Sequence, residues 1–355
     1  MSGPWGECLV PAVVPSPEMA AEVRRAIGAV PGWLARVAPV PWLVRTFTEL
    51  ATKPYAYAAA ELTDLVALVV SQDNSCRYCY GVQRALFKIF GYDDALVARL
   101  ERDFHVAGLP DTERVALDFA RKLSRANPRP GRRDYAELAS TGLEGAVIAE
   151  VAFAVAASTI LNRVATLVAL PPETALESIP KVPLFRLIRP ILAWRMRDAR
   201  RSPLPLADGD RGFGARVVAA LGDAPGATIL RRTIDEALRS DVLPRRTKAL
   251  LFAVIAKALG CVYCEREARA LLLAEGLDEG TIDEVLANLG SPRLDRREAI
   301  LVPFVRETVR YQHADIQRRT REVTAGMRHD EVVELVGVVS LANAVGRLSV
   351  LLDAC

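Results

Sequence analysis

The 355-residue chain lacks a strong excess of either charge, since 46 lysines and arginines face 43 aspartates and glutamates and leave a net charge of +3. Nucleic-acid-binding surfaces usually concentrate basic residues, so we expect no nucleic-acid partner. The first residues show no basic segment followed by an apolar run, and we expect no signal peptide. No uninterrupted apolar segment reaches the roughly 18 to 20 residues that span a bilayer. We therefore expect a cytoplasmic protein without stable membrane insertion.

Cysteine is also scarce: the chain has only six. Four of them form two Cys-x-x-Cys pairs, at residues 76–79 and 261–264. In a reducing cytosol such pairs are more often redox-active or metal-binding than structural disulfides. The other two, Cys8 and Cys355, stand near the chain ends and are interpreted as free surface or packing thiols.

The two pairs belong to an internal repeat. Cys76 precedes Cys261 by 185 residues, and at the same offset "TERVALDFARKL" falls on "REAILVPFVRET". Later in each half Arg163 corresponds to Arg347, at an offset of 184. One register shift, with the order of features kept, indicates duplication of a domain-sized unit rather than a short solenoid repeat.

The repeat predicts a first domain at residues 1–175 and a second at 211–355, joined by a basic, proline-containing linker helix at 176–210. A basic amphipathic helix can lie on a membrane surface. The interpretation we favour is a connecting helix that packs across the two halves with its arginines solvated. Pro190, inside the pattern, argues against one long interfacial helix.

Apolar residues recur at helical spacing through almost every patterned segment, and no credible run of alternating strand residues occurs. The helices that follow the two cysteine pairs each reach a glycine, Gly91 and Gly276, as helix C-termini prefer. The sequence therefore predicts an all-α fold built from two tandem helical domains.

In each half a core helix stops and the cysteine pair opens the next helix. Gly260 supplies the break before the second pair, and Asn74 and Ser75 supply N-cap chemistry before the first. The positive end of a helix dipole favours a thiolate, and cysteines one turn apart can close a disulfide. Cys76 and Cys79 can thus cycle between dithiol and disulfide, one attacking and the other resolving.

Two polar residues accompany the first pair. Asp64, twelve residues before the first cysteine, is the expected proton acceptor, and Gln83, four residues after the second, is expected to orient a water or a thiol. The second redox pair, Cys261 and Cys264, has alanines at the equivalent positions. We expect that pair to be less active.

This order of carboxylate, Cys-x-x-Cys, glycine-ended helix, "ER-x-x-L-x-F/Y-A" helix and final helix with Asn-Arg resembles the alkylhydroperoxidase D-like, peroxidase-related branch of the carboxymuconolactone decarboxylase superfamily. The resemblance runs from about Tyr57 to Ala169 and again from about Leu243 to Ala354. It implies an oligomer-forming antioxidant enzyme that uses the cysteines to reduce organic hydroperoxides or disulfides. It also implies a peroxiredoxin or dithiol as redox partner, and no metal or other cofactor.

The chain departs from the family pattern, which has glutamate at the position of Asp64 and histidine at that of Gln83. Glutamine cannot shuttle a proton, and aspartate reaches less far than glutamate. We therefore expect weaker peroxidase turnover, or specialisation for dithiol exchange.

One alternative keeps the fold but changes the chemistry to ring-opening or decarboxylation of a lactone, although the branches of the superfamily with that chemistry generally lack the cysteine pair. Three further alternatives stay open. The four paired cysteines are also the ligand set of a zinc site, although 181 residues separate the pairs. They can instead be small packing residues. The third is a non-catalytic scaffold or partner-binding protein that keeps the fold with a degenerate proton relay. Turnover with a supplied reductant separates this from the enzyme.

Overall fold

The computed structural model describes residues 5–52, 54–182, 185–198 and 212–353. Every regular element in these ranges is helical, which confirms the predicted all-α class. Two short 3-10 helices lie at Phe104–Val106 and Ile179–Lys181. The α-helices of the first half and the linker are α1 Pro17–Ile27, α2 Leu34–Val37, α3 Pro41–Ala51, α4 Ala60–Asp73, α5 Arg77–Phe90, α6 Asp94–Arg102, α7 Asp111–Arg125, α8 Arg132–Ser140, α9 Gly145–Leu167, α10 Thr174–Ser178 and α11 Phe185–Asp198.

The second half repeats much of this order. Its helices are α12 Ala215–Ala219, α13 Pro225–Arg239, α14 Arg245–Leu259, α15 Val262–Ala274, α16 Glu279–Asn288, α17 Arg296–Glu307, α18 His313–Val323, α19 His329–Leu348 and α20 Val350–Asp353. Helix α14 packs against α15, α17 and α19, as α4 packs against α5, α7 and α9 in the first half.

A buried carboxylate holds the start of the corresponding helix in each half. Glu150 on α9 accepts hydrogen bonds of 2.7 to 2.8 Å from the backbone amides of residues 56–58, just before α4. Glu334 on α19 accepts one of 3.4 Å from the amide of Leu243, just before α14. These contacts support the duplication, which stays a prediction.

The long helices α9 and α19 pack against each other in the centre of the protein. Both are long and apolar enough to cross a membrane, with mean hydropathies of 1.7 and 1.8 over their most apolar windows. Most of each window, 78% and 94%, is buried inside the protein. Charged residues such as Glu150, Glu334 and Arg347 interrupt these helices, so neither is an uninterrupted apolar segment. Burial explains their high mean hydropathy, because a helix surrounded by other helices is apolar on every side.

Two buried arginines cross between the halves at this centre. Arg163 on α9 donates to the carbonyls of Thr308 and Val309, at 3.2 and 3.0 Å. Arg347 on α19 donates to the carbonyl of Ser124 at 2.9 Å and to that of Val309 at 3.1 Å. Arg163 thus binds the C-terminal end of α17, and Arg347 binds that of α7, each in the opposite half. A positive charge is favoured at the C-terminal end of a helix.

The predicted linker contains α10 and α11, with Pro190 inside α11. Both helices pack on α5 of the first half. The rest of the predicted linker, at residues 183–184 and 199–210, lies outside the described residues. The domain limits therefore stay a prediction.

Candidate functional site

The first cysteine pair lies where α4 turns into α5. Cys76 is itself the N-cap of α5, and its Sγ accepts a 3.4 Å hydrogen bond from the amide of Cys79. Ser75 makes the turn in the left-handed region, with φ of 50°. The expectation that Asn74 and Ser75 cap the helix was wrong, because the left-handed turn ends at Ser75 and leaves the cysteine sulfur facing the free amides.

The second pair has the same backbone geometry. Cys261 caps α15 with φ and ψ of −85° and 94°, against −82° and 97° for Cys76. Its Sγ accepts from the amide of Cys264 at 3.1 Å, and Gly260, with φ of 67°, makes the turn. Cys261 and Cys264 form a disulfide, whereas the first pair consists of free thiols.

Both sulfurs of the first pair are buried, with Cys76 0% and Cys79 7% exposed. Burial raises the pKa of Cys76. Hydrogen bonds with the thiol and amide of Cys79, the nearby Thr166 hydroxyl and the amide of Tyr78 lower it by more, so that the pKa lies below the usual 9.0. Burial, the hydrogen bond to Cys76 and the charge there raise the pKa of Cys79 well above 9.0. The proton that the two thiols share is therefore favoured on Cys79, and the negative charge is favoured on Cys76.

The two predicted polar partners are buried on α4 and α5. Asp64 is 2% exposed, and the hydroxyl of Tyr92 donates to its Oδ2 at 3.5 Å. Tyr92 follows the C-terminal end of α5, whereas the cysteines open that helix. Gln83, one turn after Cys79, is 9% exposed. The roles of Asp64 and Gln83 in proton transfer stay predictions.

A carboxylate that sequence reasoning missed lies beside the first pair. Glu173 accepts a 2.8 Å hydrogen bond from the hydroxyl of Tyr78 and a 3.2 Å one from the amide of Trp33. Burial, Glu173 and the charges of Cys79 and Cys76 raise the pKa of Tyr78 well above its usual value. No spacing signal links residue 173 to residue 78, so only the folded chain reveals this contact.

The second half also contributes to the surroundings of the first pair. Tyr311 is partly buried and lies next to Arg163, whose guanidinium carbon is 5.5 Å from the centre of the tyrosine ring. Burial raises the pKa of Tyr311, Arg163 opposes that shift, and the charge of Cys76 adds to it. The Thr166 hydroxyl, which helps to lower the pKa of Cys76, acts on Tyr311 as well. The first pair thus lies at the border between the halves.

The second pair also meets the opposite half. Arg129 of the first half donates to the carbonyl of Gly260, at 3.4 Å, and to the hydroxyl of Ser349, at 2.8 Å. On its other side Val262 is 65% exposed, so the disulfide lies close to the surface. Among the described residues no group of three or more histidine, cysteine, aspartate or glutamate side chains is placed to hold a metal ion.

Residues 226–306, which include α14, α15 and the second cysteine pair, match the model of the carboxymuconolactone decarboxylase family. Through this segment, less than a quarter of its length, the chain is similar to the carboxymuconolactone decarboxylase family. The matched segment is the half whose cysteines are joined, whereas the free thiols lie in the other half. No curated protein matches the chain.

Two solved structures resemble about half of the chain. One is the crystal structure of an "alkylhydroperoxidase AhpD core: uncharacterized peroxidase-related protein" from Ralstonia eutropha JMP134, 20% identical, with a TM-score of 0.44 over 51% of this chain and 100% of that one. The other is an "uncharacterized peroxidase-related protein" from Silicibacter sp. TM1040, 25% identical, with a TM-score of 0.44 over 50% of this chain and 97% of that one.

Proposed function

We propose that this protein is a thiol-dependent oxidoreductase that cycles Cys76 and Cys79 between dithiol and disulfide while reducing an organic hydroperoxide. The observation that carries the proposal is the opposite shift of the two pKa values at a helix N-cap. A thiolate beside a protonated thiol is the minimal apparatus for peroxide reduction. The same N-cap geometry closes a disulfide in the second half, which supports the second step.

The cycle has two steps. The Cys76 thiolate attacks the terminal oxygen of the hydroperoxide, the O–O bond breaks, and Cys76 becomes a sulfenic acid. The leaving alkoxide takes the proton of Cys79 and departs as an alcohol. The new Cys79 thiolate attacks the sulfur of Cys76, which closes the disulfide and releases hydroxide. An external dithiol or a peroxiredoxin-type partner then returns two electrons and two protons.

The remaining polar groups are assigned to support this cycle. Asp64 accepts a proton when the dithiol is regenerated, and Gln83 orients a water or a thiol. Cys261 and Cys264 form a second centre of lower activity. We also propose a cytoplasmic location and a homo-oligomeric assembly.

The test is peptide mass spectrometry on fully reduced protein treated with slightly less than one equivalent of an organic hydroperoxide. We expect a Cys76–Cys79 disulfide to form before Cys8 is oxidised. Burial raises the pKa of Cys8, with opposition from its hydrogen bond to the Val10 carbonyl, so its thiolate is scarce at neutral pH. With a supplied dithiol, Cys79→Ser is expected to stop turnover, because no resolving thiol remains.

The matched control is Cys264→Ser, which breaks the second pair in the same way and should leave turnover at the first pair intact. If Cys79→Ser turns over as fast as the unchanged protein, the proposal is wrong. Slow and indiscriminate oxidation of all thiols would contradict it as well.

One observation favours the alternative of a non-catalytic scaffold. Cys76 is fully buried, and Cys79 is only 7% exposed, so a substrate has little access to either sulfur. A scaffold would consume hydroperoxide no faster than free dithiol at the same concentration. Steady-state turnover measurements therefore decide between the two functions.

A further inference from the structure

Helix α11 exposes large apolar side chains on the side away from the protein. Leu187 is 74% exposed, Ile191 64% and Trp194 66%, at intervals of four and three residues, with Ile188 at 44% beside them. This spacing places the side chains on one helical stripe. We call these four residues the outward face of α11. The helix is anchored on its other side, where Ala193 is 8% exposed and α11 packs against α5.

Basic residues flank the outward face. In the helical register Arg186 and Arg195 lie about a quarter-turn to either side of the stripe, and both are exposed. The sequence from residue 185 to 196, FRLIRPILAWRM, contains three arginines and neither aspartate nor glutamate. An exposed apolar stripe with a tryptophan and flanking arginines is the pattern of a helix that lies in the plane of a membrane interface.

A second copy of the chain would fit this face less well. Whether two α11 helices packed parallel or antiparallel, the arginines that flank one stripe would come close to those of the other. Like charges at such a rim oppose association. The headgroups of an anionic bilayer carry the complementary charge, and the acyl region accepts the apolar side chains.

We propose that the outward face of α11 binds the surface of an anionic membrane. Leu187, Ile191 and Trp194 enter the boundary between headgroups and acyl chains, while Arg186 and Arg195 contact the anionic headgroups. The binding is peripheral, since the helix lies along the membrane and does not span it. It is independent of the redox chemistry proposed above, because none of these residues belongs to either cysteine pair.

The experiment mixes the full-length protein with vesicles of phosphatidylcholine alone or of equal parts phosphatidylcholine and phosphatidylglycerol. Flotation measures binding. Trp33 and Trp42 are only 6% and 5% exposed, and Trp5 is partly buried, so the emission of residue 194 is taken as the difference between the unchanged protein and the variant that lacks Trp194. We expect binding to the anionic vesicles with a blue-shifted emission, weakened by added salt. Ile191→Ser with Trp194→Ser should lower the partition coefficient about tenfold or more, because apolar burial is lost.

The basic flank is tested by Arg186→Gln with Arg195→Gln, which should weaken binding to the anionic vesicles by about tenfold. Ile300→Ser on α17 is the control, because Ile300 is an exposed apolar residue, 45% accessible, on another helix. It should bind as the unchanged protein does, and circular dichroism checks that all variants fold.

Three outcomes would overturn the proposal. The first is equal binding to neutral and anionic vesicles that the α11 variants do not change. The second is no vesicle binding together with a fall in molecular mass, by sedimentation, in Ile191→Ser with Trp194→Ser, which would assign the face to a second copy. The third is no vesicle binding and no change in mass.

Discussion

Cys76 and Cys79 are both buried, yet their pKa values move in opposite directions. The position in the helix separates them. Cys76 is the N-cap, and its sulfur accepts a hydrogen bond from the amide of Cys79. Cys79 lies inside the first turn, where the negative charge of Cys76 raises its pKa. A negative charge at a helix N-terminus is favoured, and a second one beside it is not. One proton is therefore shared unequally between the two thiols.

The shift of Cys76 predicts how its oxidation depends on pH. Because the pKa is lowered from 9.0, the thiolate fraction should rise with pH through a midpoint below pH 9. In Cys79→Ala the thiol donor is lost, so the midpoint for Cys76 should move to higher pH. The measurement is the rate at which a hydroperoxide converts Cys76 to a sulfenic acid, trapped with a 1,3-diketone, across a pH series.

Cys79→Ser is the matched control for this series, because serine keeps a hydroxyl donor next to Cys76. Its midpoint should lie closer to neutral pH than that of Cys79→Ala. Identical midpoints in the two variants would show that the side chain at position 79 does not set the pKa of Cys76.

The residues before the two pairs predict a difference in stability. Ser75 and Gly260 make the same left-handed turn, with φ of 50° and 67°. Non-glycine residues pay a steric penalty there of about 1 to 2 kcal/mol, whereas glycine has none. We expect Gly260→Ser to lower the free energy of unfolding by about 1 kcal/mol, since open space surrounds Gly260 and only the backbone is affected. Ser75→Gly should leave it unchanged or slightly higher; urea denaturation measures both, and a loss in Ser75→Gly would contradict the argument.

At the level of the helices, the carboxylates Glu150 and Glu334 both accept hydrogen bonds from backbone amides just before a helix, but the charged groups around them differ. Glu150 is bound by the amides of residues 56–58. Glu334 forms an ion pair of 2.7 Å with Lys248, and both side chains are 0% exposed. Breaking a buried pair from one side leaves a charge without compensation, which is more costly than losing hydrogen bonds to neutral amides.

Glu334→Gln is therefore expected to destabilise the fold more than Glu150→Gln, by about 3 to 5 kcal/mol against about 2 kcal/mol. Chemical denaturation followed by circular dichroism gives both values. Glu322→Gln is the control, since the ion pair of Glu322 with Arg318 is exposed on the surface and should contribute little to stability. Equal losses in all three variants would contradict the argument.

At the level of the whole molecule, the two halves interlock around α9 and α19. Gly226 on α13 of the second half packs so tightly on Phe153 of α9 that an added Cβ would lie 2.6 Å from the aromatic ring. Arg163, Arg347 and Tyr311 also make contacts between the two halves. The halves therefore share one core, and a change at their contact should destabilise the whole protein.

Gly226→Ala tests this contact. In a helix alanine usually gains up to about 1 kcal/mol over glycine, but overpacking against a rigid ring costs about 1 to 3 kcal/mol. We expect a net loss of stability and a single unfolding transition for both halves by calorimetry. Gly145→Ala, at the start of α9 with open space around its Cβ position, should show no loss. A stabilised Gly226→Ala, or two separate transitions, would show that the halves do not share a core.

Local patterns were enough to predict part of the fold and of the site. The all-α class follows from helical periodicity, and the start of α5 and α15 at the cysteine pairs follows from the breaks before them. The cap itself was mistaken for Asn74 and Ser75, because a left-handed φ at Ser75 is not encoded by residue type. The apolar composition of the segments that form α9 and α19 indicates long, buried helices, and the structure has them so, with polar residues such as Arg163 satisfied inside the core.

By itself the sequence determined the helices, the order of elements in each half and the two Cys-x-x-Cys pairs, because spacing along the chain sets which side chains share a helix face. Only the tertiary structure decided which groups surround the thiols. Tyr311 comes from the opposite half and Glu173 from the segment before the linker, and neither can be placed beside Cys76 or Tyr78 until the chain has folded. The electrostatics of a buried thiol depend on distance in space, and residues far apart in the sequence set that distance.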